Sequence, residues 1–305
     1  MQVAVLGLGK MGRLITEKLL ASGHEVVVWN RSREVLDAIR IESAEYVVSQ
    51  KLTLSYTIDE LRNFLRKPRI IWSMLPSGEP TETTLQQLNG IVEAGDVVIN
   101  GGDSNYKDTQ RHSEEFEKRG VKFLGIGVAG GIHALENGCS MMVGGNMDAY
   151  QFLVPVLDDL SLPNGIHGYF GTGGAGHFVK MVHNGIEYGM MQAIAEGLSI
   201  LKKSDYQIDL QDSVTVWQEG GIISSFLLDM VNDALDKDPT LAQFDGIIGS
   251  TSSGKWAVEQ AKSSNLSTPV TEQALAFRER SQYDKAIQDT FIAKAIQAVL
   301  KELRG

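Results

Sequence analysis

The chain has 305 residues, 43% hydrophobic and 22% charged, with a formal net charge of −10 at pH 7. This composition excludes disordered and fibrous proteins and suits about two domains with buried cores. The acidic excess argues against nucleic acid and anionic membranes as partners. A single cysteine excludes an intrachain disulfide framework, and no apolar run reaches the roughly 18 residues of a membrane-spanning helix. Because the N-terminus also lacks the pattern of a signal peptide, we expect a cytoplasmic protein.

Strand and helix patterns alternate along the first half of the chain. Short apolar runs predict buried strands at 2–6, 25–29, 68–75, 96–100, 121–128 and 139–145. A helical stretch opens at the segment 7–12 and runs to about residue 21, and further helical patterns follow at about 57–66, 81–93, 105–119 and 147–159. Such alternation predicts βαβ units in a doubly wound parallel sheet.

The pattern changes after a glycine-rich segment, GTGGAG, at 171–176. Beyond it, no strand-like run exceeds a few residues, and helices are predicted at about 176–203, 209–219, 224–236, 254–263, 269–281 and 284–303. We therefore predict an α/β domain over 1–172 and an all-α domain over 173–305.

The motif G-L-G-K-M-G follows the first strand and opens the first helix, and it comprises Gly7, Leu8, Gly9, Lys10, Met11 and Gly12. In this context the glycines permit a tight turn, close approach of a pyrophosphate, and packing of helix on strand. The helix N-terminus offers unpaired N–H groups to the phosphates. The motif predicts a dinucleotide site on a Rossmann-like sheet, to which we also assign Met74, Leu75 and Pro76.

The end of the second strand distinguishes the two nicotinamide cofactors. NAD sites usually carry an acidic residue there to bind the ribose 2′-hydroxyl, whereas this chain has Asn30, Arg31 and Ser32. The guanidinium of Arg31 is suited to a 2′-phosphate, and Ser32 can donate to it. We predict NADP, with NAD as the alternative if Arg31 is only a solvated surface residue.

The stretch GAGHFVKMVHNGIEYG at 174–189 carries the clearest chemistry. On a helix Lys180, His183, Asn184 and Glu187 share one face, and Lys180 and Glu187 lie about 10 Å apart along the axis. A lysine and a glutamate so placed suit a general base and a general acid acting on one small substrate. Gly185 and Gly189 weaken the helix, which indicates close approach of a ligand or another backbone. The alternative is an ordinary solvated polar face.

The remaining sequence features give weaker evidence of function. Gly130 and Gly131, in a second glycine-rich segment at 127–138, are placed to bind a substrate carboxylate through backbone N–H groups, unless the segment is a plain loop. No H-E-x-x-H or C-x-x-C motif occurs, so no metal site is predicted. Cys139 is interpreted as a small buried hydrophobic residue.

Several segments together resemble the decarboxylating 6-phosphogluconate dehydrogenases in their short bacterial form. They are GLGKMG, WNRS, NGGDSNYKDTQR, GVAGG with ENG and MVGG, and above all GHFVKMVHNGIEYG. The resemblance covers nearly the whole chain. It implies a Rossmann-like domain, a helical domain with the catalytic cleft between them, a homodimer or homotetramer, and oxidation of 6-phosphogluconate by NADP to ribulose 5-phosphate and CO2.

The resemblance also implies roles for individual residues. Lys180 matches the general base for the 3-hydroxyl, and Glu187 matches the acid that protonates C1. Tyr188 and Arg278 match phosphate contacts. The residues that match the family's substrate site are Asp103, Ala129, Gly130, Gly131, His183, Asn184, Tyr188, Ser253, Lys255 and Arg278.

The chain departs from the family pattern at four places. Asp103 stands where the family has Asn, Ala129 where it has Ser, and Thr251 where the long forms have a phosphate-binding Lys. The C-terminal tail of the long forms is absent. Two alternatives therefore stay open, namely a β-hydroxyacid dehydrogenase for another 3-hydroxy acid and a non-catalytic dinucleotide-binding sensor.

Overall fold

The computed structural model describes residues 1–249 and 252–304, except for the side chains of Leu135 and Arg304. The chain divides into two compact units, an N-terminal unit of residues 1–180 and a C-terminal unit of residues 181–305. The division falls within one long helix, so this helix contributes to both units. The boundary predicted at 172/173 stays a prediction.

The N-terminal unit is built on an eight-stranded sheet within the described residues. The strands are β1 (Gln2–Leu6), β2 (Glu25–Trp29), β3 (Leu52–Ser55), β4 (Ile70–Ser73), β5 (Val97–Asn100), β6 (Lys122–Ala129), β7 (Ser140–Gly145) and β8 (His167–Tyr169). Their order is β3-β2-β1-β4-β5-β6-β7-β8, and the neighbours are parallel except for β6 and β7. The predicted Rossmann-like sheet is thus confirmed.

Three features of the sheet differ from the prediction. Sequence reasoning missed β3 and β8, because both are very short and lack a continuous apolar run. It also expected parallel strands throughout. The segment between β6 and β7 spans only ten residues, which is too short for the crossover that a parallel pair needs, so β7 returns antiparallel.

Helices cover both faces of this sheet. They are α1 (Lys10–Ala21), α2 (Arg33–Glu42), α3 (Ala44–Val48), α4 (Leu61–Phe64), α5 (Glu79–Asn89), α6 (Tyr106–Glu117), α7 (Ala134–Asn137) and α8 (Met147–Ser161). The prediction omitted α2, α3 and α7, and the helix expected at 57–66 shrinks to α4.

The alternation of side chains along each strand explains the two layers of helices. In β1, Val3 and Val5 belong to one buried cluster, whereas Ala4 and Leu6 belong to another on the opposite face. Because helices cover both faces of the sheet, side chains on both faces of β1 are apolar, and the strand is a continuous apolar run in the sequence. The strand order reverses between β1 and β4, and open α/β sheets bind ligands at such a switch point.

The C-terminal unit is helical. Together with the shared helix α9 (Ala175–Lys202), it contains α10 (Leu210–Gln218), α11 (Phe226–Lys237), α12 (Ser252–Ser263), α13 (Pro269–Ser281), α14 (Lys285–Gln288) and α15 (Phe291–Arg304). The single helix predicted at 284–303 is broken, because the Thr290 hydroxyl accepts from the Ala293 N–H and starts a new helix there.

Buried residues of α9, α10, α11 and α15 form the main core of this unit, with Leu198, Leu228 and Ile296 at its centre. A smaller cluster joins Tyr188 of α9 to Val258 of α12 and Ala274 and Leu275 of α13. The helices of the described chain include none whose length and apolarity would let it cross a membrane.

Candidate active site

At two positions in the loop between β1 and α1, close contacts with the protein's own backbone require glycine. Gly7 has φ +91°, and a Cβ there would lie 2.5 Å from the carbonyl oxygen of Met74. A Cβ on Gly12 would lie 1.8 Å from the carbonyl oxygen of Gly7. These two positions therefore hold β1, α1 and the end of β4 in contact.

Gly9, the middle glycine of the motif, has open space around it, which leaves room for a ligand. No described heavy atom outside its chain neighbours lies within 4 Å of an ideal Cβ on Gly9, which is exposed. Gly9 is the N-cap of α1, so the first N–H groups of this helix receive no side-chain cap. Lys10 is exposed and Met11 half-buried beside it. This open, donor-rich helix start at the switch point fits the pyrophosphate of a dinucleotide.

Asn30 has a role that sequence reasoning missed. Its Oδ1 accepts from the N–H of Leu8 at 3.0 Å, and its Nδ2 donates to the carbonyl of Ser32 at 3.3 Å. The side chain thus ties the glycine loop to the loop after β2. Arg31 and Ser32 are exposed on that second loop, where a 2′-phosphate would lie.

The residues assigned after β4 lie in the wall of the same site. The N–H of Met74 donates to the carbonyl of Leu6 at 2.7 Å, and a Leu75 methyl lies 2.6 Å from an ideal Cβ on Gly7. Pro76 is exposed just beyond them.

Two loops at the ends of β5 and β6 carry the predicted substrate residues of the N-terminal unit. After β5, Asn100 Oδ1 accepts from the N–H of Gly102 at 3.2 Å, and the next residue, Asp103, is exposed. Ala129, the last residue of β6, is buried and precedes Gly130 and Gly131, both with positive φ. The positive φ values of these two glycines turn the backbone at the end of β6.

The start of α9 lies almost backbone-to-backbone on the sheet. A Cβ on Gly176 would lie 2.4 Å from the carbonyl oxygens of Gly125 and Met142. A Cβ on Gly127 would lie 2.3 Å from the Cβ of Lys180. Glycines on both elements therefore set the height of Lys180 above β6, and their spacing along VKFLGIGV is a signal that sequence reasoning left unused.

His177 lies one turn before Lys180 and was also missed as a site residue. It is buried, and its Nδ1 lies 2.8 Å from the hydroxyl of Thr109 on α6. Burial lowers the pKa of His177 to about 4, although the nearby carbonyls of Gly102 and Ile126 oppose this shift. The ring is therefore neutral at physiological pH.

Helix α9 places its polar residues as predicted. Lys180, His183, Asn184 and Glu187 occupy positions i, i+3, i+4 and i+7 of this one continuous helix. His183 Nδ1 lies 3.1 Å from Asn184 Oδ1 and 3.9 Å from Glu187 Oε2. The side chains of His183 and Glu187 are 43% and 25% exposed, so both can reach a ligand.

A second group of predicted residues meets inside the C-terminal unit. Asn184 Nδ2 donates to Ser253 Oγ at 2.8 Å, and the Arg278 guanidinium lies 3.6 Å from the ring centroid of Tyr188. Arg278 is buried, and it donates to the Gly249 carbonyl at 3.4 Å. Such a buried, stacked guanidinium suits a phosphate anion.

Two further predictions have different outcomes in this region. The Lys255 side chain is 61% exposed, and its ammonium group lies 4.0 Å from Glu259 rather than against the group around Tyr188. Thr251 lies outside the described residues.

Gly185 and Gly189 serve packing within the C-terminal unit. A Cβ on Gly185 would lie 3.1 Å from the Ala257 Cβ of α12, and one on Gly189 would lie 3.1 Å from Val270 Cγ1 of α13. The close approach predicted for these glycines is thus made by side chains of neighbouring helices, and the expectation of a ligand or backbone there was wrong.

Cys139 is fully buried, and burial raises the pKa of its thiol to about 11. Across residues 1–249 and 252–304, no three His, Cys, Asp or Glu side chains are grouped so as to hold a metal ion.

Comparison with known proteins identifies the relatives of this chain. Residues 2–171 match the family model described as the NAD binding domain of 6-phosphogluconate dehydrogenase, and residues 176–298 match its C-terminal domain. The NAD(+)-dependent, decarboxylating 6-phosphogluconate dehydrogenase of Haloferax volcanii is 35% identical over 93% of this chain and 92% of its own length.

Solved structures agree with this assignment. Plasmodium falciparum 6-phosphogluconate dehydrogenase, solved with its cofactor NADP+ and with 6-phosphogluconate, has a TM-score of 0.82 at 29% identity. That match covers 94% of this chain and 63% of the Plasmodium chain. A Mycobacterium tuberculosis 3-hydroxyisobutyrate dehydrogenase shares the fold, with a TM-score of 0.70 at 19% identity over 96% of this chain and 97% of its own. The chain is a member of the 6-phosphogluconate dehydrogenase family.

Proposed function

We propose that this protein oxidises and decarboxylates 6-phosphogluconate to ribulose 5-phosphate and CO2, with a nicotinamide cofactor as the hydride acceptor. The observation that carries the proposal is the arrangement on α9, where Lys180 and Glu187 lie two turns apart on one face. One turn beyond Asn184, Tyr188 stacks on the buried Arg278. The helix thus offers a base, an acid and a phosphate contact in one row.

The first step is oxidation at C3. The Gly7–Gly12 loop would hold the nicotinamide cofactor, with Arg31 and Ser32 at its 2′-phosphate, and the cofactor would supply the hydride acceptor for C3. Lys180 in its neutral form takes the proton of the 3-hydroxyl, which leaves a ketone at C3.

The ketone makes the next step possible. The C1–C2 bond breaks, its electron pair moves toward the C3 carbonyl, and CO2 leaves. The protonated Lys180 stabilises the negative oxygen that develops, and Glu187 delivers a proton to the carbon that carried the carboxylate. His183 and Asn184, which contact each other at 3.1 Å, orient the substrate hydroxyls between base and acid.

The cofactor is NADP in this proposal, with NAD as a weaker substrate. No acidic residue occupies positions 30–32, and Arg31 is exposed for a 2′-phosphate. The family contains both preferences, since the Haloferax relative is named NAD(+)-dependent and the Plasmodium enzyme was solved with NADP+.

The test is absorbance of the reduced nicotinamide on mixing the protein with 6-phosphogluconate and either NADP or NAD. We expect reduction of NADP with release of one CO2 per turnover. In parallel, 3-hydroxyisobutyrate and unphosphorylated gluconate serve as comparison substrates. Faster turnover of either would favour a β-hydroxyacid dehydrogenase of different specificity, and cofactor binding without any turnover would favour the sensor.

We also propose that the protein is a homodimer that pairs through α9. Four residues spaced by four along this helix are exposed although they are apolar: Phe178, Val182, Ile186 and Met190, with 36%, 42%, 58% and 40% of their surface accessible. An apolar row of this kind on a long helix suits a second copy of the same helix.

Light scattering tests the dimer. The wild type should have about twice the 33.3 kDa mass of one chain, and Ile186→Glu should shift it toward the monomer. Val48→Glu, which places the same charge at an exposed apolar residue of α3, should leave the mass unchanged. A wild type that is monomeric at micromolar concentration would refute the proposal.

The predicted cytoplasmic location and the predicted lack of nucleic-acid partners stay predictions.

A further inference from the structure

We propose that His177 is a positioning residue, which anchors the first turns of α9 to α6 and packs them on β6, and thereby holds Lys180 in its working position. The inference rests on the proposed function, because it assigns the base that is positioned. It concerns a buried side chain that the proposed mechanism does not use.

The contacts of His177 join three elements of the N-terminal unit. Its Nδ1 lies 2.8 Å from Thr109 Oγ1, and that hydroxyl also lies 3.1 Å from the Asn105 carbonyl at the start of α6. The other ring nitrogen, Nε2, is buried and has no hydrogen-bond partner among the described residues. One hydrogen bond of the imidazole therefore connects α6 with the helix that carries Lys180.

The fit around the ring requires glycine on the sheet. A Cβ on Gly125 would lie 3.1 Å from His177 Nδ1 and 2.4 Å from Thr109 Cγ2. Two residues further along β6, Gly127 gives the same room to Lys180. The sheet therefore accommodates His177 and Lys180 side by side.

Neutrality suits an anchor in this place. A neutral imidazole has one donor and one acceptor nitrogen, so one nitrogen can bond the Thr109 hydroxyl while the buried Nε2, which has no partner among the described residues, needs to carry no proton. A charged ring beside Lys180 would oppose the cation that the base becomes after it takes a proton. Burial keeps the ring in its neutral form.

His177 affects catalysis through the position of Lys180. His177 and Lys180 are neighbours at i and i+3 on α9, so a loosened first turn displaces the lysine directly. A displacement of about 1 Å at a reacting group can reduce the rate on the order of 100-fold. Substrate affinity depends largely on other residues and should change little.

Kinetics of three variants test this. His177→Ala should lower kcat at least 30-fold. Thr109→Val, which removes only the hydroxyl, should lower kcat at least 3-fold. In both variants the KM values for 6-phosphogluconate and for NADP should stay within 2-fold of the wild-type values. His177→Asn should recover at least 5-fold of the loss in His177→Ala, because its amide offers a donor or an acceptor near Nδ1. The control is His24→Gln, which alters another buried histidine of the same unit, paired with Asp159 at 2.8 Å, and should keep kcat.

A second measurement does not depend on the substrate. The rate at which an N-hydroxysuccinimide ester of acetate acylates Lys180, read by mass spectrometry, should change at least 3-fold in His177→Ala and in Thr109→Val, with Lys202 at the other end of α9 as the internal reference. Unchanged acylation of Lys180, or changed acylation with unchanged kcat, would overturn the inference. If the wild type has no activity on 6-phosphogluconate, the proposed function fails, while the acylation rates still decide whether His177 positions Lys180.

Discussion

Lys180 and Glu187 show how single residues take different tasks on one helix. Lys180 belongs to the part of α9 that lies on the sheet, where Gly127 leaves room for its stem. Glu187 lies seven residues further along, with His183 at 3.9 Å and a quarter of its side chain exposed. In the proposed mechanism, this separation keeps the base Lys180 and the acid Glu187 from forming a direct ion pair with each other while both remain on one face.

We expect Lys180→Met to abolish the general-base step and lower kcat about 100- to 10,000-fold. Methionine keeps the length of the stem, so packing on β6 should persist. Titration of NADP by fluorescence should give a Kd within about 2-fold of the wild type, because the Gly7–Gly12 loop is untouched. A variant that retains more than a tenth of wild-type kcat would show that another group is the base.

In the proposed function, Arg278 is the residue that would distinguish a phosphorylated substrate from an unphosphorylated one. Arg278→Met keeps an unbranched stem beside Tyr188 but removes the guanidinium, and one lost charge-assisted hydrogen bond costs about 1.5–3 kcal/mol. We expect KM for 6-phosphogluconate to rise about 10- to 100-fold while KM for NADP is unchanged. Arg280→Met on the same helix removes an exposed guanidinium paired with Asp284 and serves as the control. An unchanged KM for the sugar acid in Arg278→Met would argue against the phosphate contact.

At the scale of elements, glycines determine which surfaces come together. On α9, Gly176 meets the sheet, whereas Gly185 and Gly189 admit side chains of α12 and α13. One helix is thus fitted to different neighbours along its length. Gly197, further along, has no described heavy atom within 4 Å of an ideal Cβ, apart from its chain neighbours and nearby helix backbone. An alanine is therefore expected to disturb packing at the first three of these glycines but not at Gly197.

We expect Gly127→Ala to destabilise the protein by about 1–3 kcal/mol and to lower kcat at least 10-fold, because the added methyl must displace Lys180 or the strand. Gly197→Ala should instead stabilise it by about 0.5–1 kcal/mol through helix propensity. Urea unfolding and steady-state kinetics of both variants check the pair. Equal effects of the two substitutions would contradict the role given to Gly127.

At the scale of the whole molecule, the buried neutral His177 links stability to pH. In the unfolded chain a histidine titrates near its ordinary value of 6.5, whereas burial lowers the pKa of His177 in the fold to about 4. Between these values the unfolded state binds more protons than the folded state. The free energy of unfolding therefore falls as the pH decreases from about 6.5 to about 4 and is retained above that window.

The expected loss from this residue is about 2–3 kcal/mol between pH 7 and pH 4.5. Urea unfolding followed by circular dichroism at both pH values measures it, with His177→Asn as the non-titrating reference. The wild type should lose more stability than the variant over this range. Parallel losses in the two proteins would mean that His177 is protonated in the fold.

Much of the fold could be predicted because its signals are local. The run QVAVL and the motif GLGKMG specify a buried strand followed by a glycine turn and helix, and the structure has β1 and α1 at those residues. The row of Lys180, His183, Asn184 and Glu187 depends only on helical periodicity. Capping at Thr290, which breaks a predicted helix, and the three-residue strand β8 have weaker local signals, and both were missed.

The sequence by itself therefore determined the family, the Rossmann-like class, the dinucleotide loop and the polar row on α9, because each follows from residues close together in the chain. Only the tertiary structure decided how these parts are supported. The tie from Asn30 to Leu8, the stacking of Arg278 on Tyr188 and the contact of His177 with Thr109 join residues that are distant in sequence. Such contacts depend on which surfaces pack together, and periodicity along one chain segment carries no information about its distant partners.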